Sequence, residues 1–158
     1  MPRLRLASIR TGRGGMRLTA IVAMAMTMTA GTPASAKPPK LNPRTAVYEL
    51  RTYYPAPGKA AALNARFREH TMTLFAKHGM TNVAYWNEMP TTEQPEGRLV
   101  YVLAYPDRAA RDADWAAFVA DPAWKAVVAS SEASGKLVTR VDSVFMTMAD
   151  YSPRFMPR

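Results

Sequence analysis

The 158 residues contain two imidazoles, His70 and His78, and no cysteine, so any general base is sought at very few positions. Leu63, Phe67, His70 and Leu74 recur at spacings of four, three and four, the mark of one helix face, and His70 is therefore expected to point inward. In a pocket it would act as a general base, oriented by Glu49 or Tyr53. The competing reading is a buried histidine whose two nitrogens are satisfied by local partners. His78 directly precedes Gly79, and a cation there suits the negative end of a helix, which gives it a structural role. The two histidines lie two helical turns apart, too far for one small ion, and no metal site is expected.

Charged and aromatic residues alternate along the segment that carries Glu49. Glu49, Arg51 and Tyr53 share one face of a strand, and Arg140 and Asp142 share one face of another. Together they form a charge network in which Arg51 and Arg140 hold a carboxylate or another anion. The alternative is that they only pair with Glu49 and Asp142, since buried charges need partners. Trp86, Tyr53 and Tyr85 are placed to stack on a flat ligand, or else to fill a core. Trp115 and Trp124 belong to a helical layer by their spacing. No glycine-rich phosphate loop, HExxH, CxxC or G-x-S-x-G motif is present.

These side chains are positioned by six elements. Thr45 to Tyr54 is rich in β-branched and aromatic residues and is stopped by Pro55-Ala56-Pro57-Gly58, which predicts a first strand. Lys59 to His78 follows a helical period, with Gly79 as its stop. Met80 to Met89 and Arg98 to Tyr105 read as a hairpin with a loose loop. Asp107 caps a second helical region, which Asp121-Pro122 breaks before a short helix from Pro122 to Glu132. Lys136 to Met148 is the last strand. The order β-α-β-β-α-β is the ferredoxin-like split βαβ arrangement, an α+β fold with a four-stranded antiparallel sheet and helices on one face. The face away from the helices is expected to hold Trp86 and Tyr53 among Glu49, Arg51, Glu88, Arg140 and Asp142, a mixture suited to an interior cavity or subunit interface.

The chain ahead of this domain has a different character. Residues 1–17 carry five arginines and no acid, residues 18–30 are apolar or small, and Ala34-Ser35-Ala36 supplies small residues at the positions a signal peptidase reads. A secretory signal over 1–36, cleaved after Ala36, is expected, with a periplasmic or secreted product. The apolar run spans about 20 Å against about 30 Å of hydrocarbon, so no stable membrane anchor is expected. Residues 37–44 (KPPKLNPR) form an extended linker, 45–153 the folded domain and 154–158 a tail. The overall charge of +9 falls to +4 once the leader is set aside, so nucleic acid is not an expected partner.

The domain resembles the NIPSNAP family. The resemblance runs from Val47 to Pro153 and is carried by Tyr48-Glu49-Leu50-Arg51-Thr52-Tyr53 with Pro57-Gly58-Lys59, by Phe67 with His70-Thr71, and by His78-Gly79-Met80 leading into Tyr85-Trp86. It continues through Trp115, Phe118, Asp121-Pro122-Ala123-Trp124-Lys125 and Val144-Phe145 to Asp150-Tyr151-Ser152-Pro153. It implies a dimeric α/β barrel in which two sheets face each other across a shared interior, and hence a homodimer. Relatives in the broader dimeric-barrel group use haem, which makes His70 a remote candidate ligand; no cofactor is otherwise expected. The expected function is binding of a small aromatic or acidic molecule in the barrel interior, with Arg51, Trp86, Arg140 and Tyr85 as ligand-binding residues. One alternative is a cofactor-independent monooxygenase- or isomerase-like enzyme using His70 with Glu49 or Tyr53. Another is a structural or adaptor protein with a filled barrel.

Overall fold

The structure is a computed structural model and describes residues 41–153. The expected signal over 1–36, the first half of the linker (37–40) and the tail at 154–158 lie outside the described residues.

Four strands, β1 (Val47–Pro55), β2 (Thr81–Asn87), β3 (Leu99–Tyr105) and β4 (Val138–Met146), form one sheet in the order β2-β3-β1-β4, with every neighbouring pair antiparallel. Between β1 and β2 run α1 (Ala60–Arg66), a π-helical turn (Phe67–Thr71) and α2 (Met72–Lys77), continuous in backbone conformation. Between β3 and β4 come α3 (Arg108–Ala120) and α4 (Pro122–Ser131). This is the ferredoxin-like order read from the sequence.

The helix ends show why the chain breaks where it does. The first helix has no side-chain cap of its own; instead Glu96, from the β2–β3 loop, accepts from the Gly58 and Ala60 amides at 2.7 and 3.4 Å. Gly79, at φ +85°, ends α2 in a conformation that a side chain resists. Asp107 Oδ1 accepts from the Ala110 amide at 2.8 Å to start α3. Asp121 closes α3 and caps α4 through the Ala123 amide at 2.8 Å, and Pro122 fits the first turn where its missing N–H costs nothing.

The π turn changes what the first helical rod buries. An α-helical phase through Leu63 and Phe67 would next bring in His70 and Leu74. The extra residue in the wide turn advances the phase, so the buried positions become Leu63, Arg66, Phe67, Thr71 and Phe75. The Thr71 hydroxyl fills the gap by donating to the Arg66 carbonyl at 3.2 Å. His70 is turned outward by the same step, its side chain 49% exposed.

Register fixes the two sheet faces, because residues opposite one another in antiparallel strands share a side. Glu49, Arg51 and Tyr53 lie opposite Leu103, Tyr101 and Leu99 on β3 and opposite Phe145, Ser143 and Val141 on β4. That is the helix side, where Leu63, Phe67, Phe75, Leu99, Tyr101, Leu103, Tyr105 and Phe118 form the main core. Arg140 and Asp142 lie opposite Tyr54 and Thr52 on the open side, and Trp86 lies opposite Val100 there. The expected single face holding Glu49, Arg51, Tyr53, Trp86 and Arg140 is therefore divided between two faces. A register irregularity between Asn82 and Ala84 also separates Val83, which packs on the open side, from Tyr85, which packs on the helix side.

Candidate functional site

Glu49 is completely buried on β1, and a carboxylate sealed from water must be matched by donors. Oε1 accepts from Arg51 Nη1 at 2.6 Å, Ser143 Oγ at 2.7 Å and Arg111 Nη2 at 2.8 Å. Oε2 accepts from Arg111 Nε at 2.9 Å and the Tyr105 hydroxyl at 3.2 Å, and it shares the single Trp115 N–H, at 3.1 Å, with the Tyr105 oxygen, which that N–H reaches at 2.8 Å. Arg111 thus grips the carboxylate with two parallel bonds, the geometry that makes arginine pairs strong. Burial alone would raise the Glu49 pKa; the bonds from Arg111, Ser143 and Arg51 overcome it and hold the carboxyl at about 2. With that pKa and three donors on each oxygen, Glu49 is a fixed negative charge and not a proton acceptor.

Arg51 is the other half of this arrangement. Burial works against its charge, but Tyr101, Tyr53 and Glu49 around it keep it protonated. Its Nε donates to the Tyr101 hydroxyl at 3.0 Å, and its guanidinium lies 4.3 Å from the centre of the Trp115 ring. Tyr101 and Tyr105 are pushed up by burial, so both keep their protons; Tyr101 accepts from Arg51, and Tyr105 donates to Glu49.

The remaining expected site residues fall elsewhere. Tyr53 and Tyr85 are packed in the aromatic core, Tyr53 edge-on to Phe67 at 5.6 Å and Tyr85 stacked on Tyr101 at 5.3 Å. Both side chains are half-buried, each with part of its ring against a core aromatic residue. His70 faces solvent, and its nearest carboxylate is Glu69 at 3.9 Å, so Glu49 and Tyr53 do not orient it. The general-base constellation of His70, Glu49 and Tyr53 is not assembled. His78 Nε2 lies 2.7 Å from Asp121 Oδ2, which Lys77 also reaches at 2.7 Å, tying the end of α2 to the α3–α4 corner. Among the described residues no cluster of three or more metal-binding side chains occurs, and no helix is long and apolar enough to cross a membrane.

On the open face Arg140 donates to Asp142 at 2.7 Å and stacks over Tyr54, its guanidinium 3.9 Å from the ring centre. Arg98 pairs with Glu88 and also reaches the Tyr54 hydroxyl. This end of the open face is a charged row. The other end is apolar: a groove of about 450 Å³ is lined by Tyr48, Val83, Val102, Met146, Met148 and Tyr151, with neighbouring residues of the segment to Pro153.

The NIPSNAP family model matches residues 48–153. The chain belongs to the NIPSNAP family. A NIPSNAP-like domain protein from Burkholderia xenovorans is 19% identical, with 72% of this chain and 94% of that chain covered and a TM-score of 0.60. A NIPSNAP family protein from Agrobacterium tumefaciens is 22% identical, with 73% and 98% covered and a TM-score of 0.60. At these identities the likeness establishes the fold of this NIPSNAP chain. No curated protein matches it significantly.

Arg111 and Ser143, two of the main holders of Glu49, did not emerge from the sequence reading. A signal was present for Arg111, which stands one helical turn before Trp115 on the side of α3 that also carries Phe118. A strand glutamate with apolar residues around it demands donors from outside its own strand, and an arginine on a helix's inner stripe is where to look.

Proposed function

We propose that this NIPSNAP protein is exported, loses its leader after Ala36, and works as a homodimer whose two open sheet faces meet around a small apolar or aromatic molecule. The observation that carries this reading is the open sheet face itself. Trp86 is 49% and Val144 54% exposed there, beside Met146 and the groove of about 450 Å³. A contiguous apolar surface of this kind on a lone chain marks an interface. The charged row of Arg98, Glu88, Tyr54, Arg140 and Asp142 supplies the polar rim that interfaces carry around an apolar centre. A two-fold axis would bring the same patch of each chain together and roof the groove. Trp86 and Arg140 would then line the enclosed space, while Arg51 and Tyr85 would stay on the helix side. The groove favours a binder over a filled barrel, and the outward position of His70 leaves the enzyme alternative without its base.

Native mass spectrometry of protein purified gently from its own cells tests both halves. A dimer carrying an extra small mass is expected, and Val144→Glu should give a folded monomer without that mass. A wild-type monomer at micromolar concentration sinks the proposal.

A further inference from the structure

Where β3 turns into α3 and the first helical rod turns into β2, a cavity of about 490 Å³ is bordered by Leu41, Ala76, Met80, Pro106 and Ala110. This wall is mostly hydrocarbon, and the charged side chain in it is Asp114. Asp114 follows Ala110 by four residues on α3, one helical turn, which brings both to the same wall. Gly79, also in the wall, faces the carboxylate: a Cβ there would stand 3.1 Å from Asp114 Oδ1 and 3.2 Å from Oδ2. The glycine that ends α2 therefore also leaves the room that this carboxylate fills.

Asp114 is half-buried and accepts no hydrogen bond from the described residues. Drawing a carboxylate out of water without a donor is costly; burial pushes this carboxyl up, against the pull of the His78 charge. The cations nearby in the chain are committed elsewhere. Lys77 and His78 both reach Asp121 at 2.7 Å, and Arg111, three residues before Asp114, is held by Glu49. Asn82, another polar residue of the wall, donates to the Met72 carbonyl and accepts from the Tyr85 hydroxyl. Gly79 stands at the C-terminal end of the first helical rod, where the partial negative charge also favours a cation. An apolar cavity with one unpartnered carboxylate is complementary to an organic cation.

We infer that this cavity is a binding site for a small organic amine, an ammonium group carried on a short hydrocarbon body. The ammonium donates to the Asp114 carboxylate, and the body lies along Leu41, Met80 and Pro106. No residue of this cavity belongs to the groove on the open face, so the inference stands apart from the homodimer and its ligand.

Hexylamine, protonated at pH 7, is the probe, titrated calorimetrically into the purified protein beside hexanol and hexanoate, which share its body and differ in charge. One hexylammonium per chain is expected, with hexanol weaker by about tenfold or more, the loss that follows one charge-assisted hydrogen bond, and no measurable binding of hexanoate. Asp114→Asn keeps the shape and removes the charge. It should weaken hexylamine to the level of hexanol without lowering the melting temperature, because the carboxylate holds no partner in the free protein. Ala76→Leu, at an exposed helix position, keeps the carboxylate and fills the cavity, and it should weaken hexylamine and hexanol alike. Absence of hexylamine binding overturns the inference, as does equal binding of hexanol. Unchanged hexylamine affinity in Asp114→Asn overturns it too, and unchanged affinity in Ala76→Leu would place the amine on surface charge outside the cavity.

Discussion

Replacing Glu49 by glutamine removes one charge and changes almost no volume, so its effect isolates the buried carboxylate. In the folded chain the carboxyl falls from its ordinary 4.5 to about 2, which by linkage is worth about 3 kcal/mol above pH 5. Glutamine also turns an NH2 group toward donors that need an acceptor, whichever way the amide is placed, and leaves the positive charges of the half-buried Arg51 and Arg111 without their anion. Breaking a buried pair in this way costs about 3–5 kcal/mol. Against a total of about 5–15 kcal/mol for a domain of this size, that is a large fraction. The melting temperature should fall by about 10–20 °C. Because the folded carboxyl lies below its unfolded value, its contribution is complete above about pH 5 and is lost as the pH falls toward about 2. Urea unfolding of wild type and Glu49→Gln, followed by circular dichroism at pH 7 and again near pH 3, should therefore show a gap that narrows with acid. A gap below about 1 kcal/mol at pH 7, or one that does not change with pH, would refute the assignment of Glu49 as the charge that organises this face.

Three further outcomes follow from the same geometry. Gly97, at φ +64°, would drive a Cβ into the Glu88 carbonyl oxygen, whereas Gly58, at φ +71°, has open space beside it. Gly97→Ala should thus cost clearly more than the roughly 1 kcal/mol of backbone strain expected for Gly58→Ala, measured by thermal melts of the two variants. Asp121→Ala should lower the melting temperature more than Lys77→Met does, since Asp121 also caps α4 and holds His78; equal losses would show that only the lysine pair matters. His70→Asn should shift stability by no more than about 0.5 kcal/mol, as for other exposed positions, and a loss of several kcal/mol would restore the inward histidine.

The order of elements was legible in the residues because its signals are local. Pro55-Ala56-Pro57-Gly58 ends a strand, Gly79 ends a helix and Asp121-Pro122 breaks one, and none of these depends on what packs against it. Alternation also grouped Glu49 with Arg51 and Tyr53, and Arg140 with Asp142, as the structure has them, whereas the irregularity in β2 puts Val83 and Tyr85 on opposite sides. Pairing the faces of different strands was another matter. Glu49 and Arg140 read as equally polar strand residues, and only the register across β1 and β4 sends one to the helices and the other to the open side. The fate of His70 shows the same limit inside a single helix, because one wide turn moves every later residue and the sequence period hides it.

Chain composition and local pattern thus settled the strands, the helices, their order and the family, since these rest on steric and turn preferences that neighbouring residues carry between them. Where each charge ended up was settled by packing. The donors of Glu49 come from positions 51, 105, 111, 115 and 143, brought together on β1, β3, α3 and β4. A buried carboxylate chooses partners by distance in space, and no spacing along the chain records that choice.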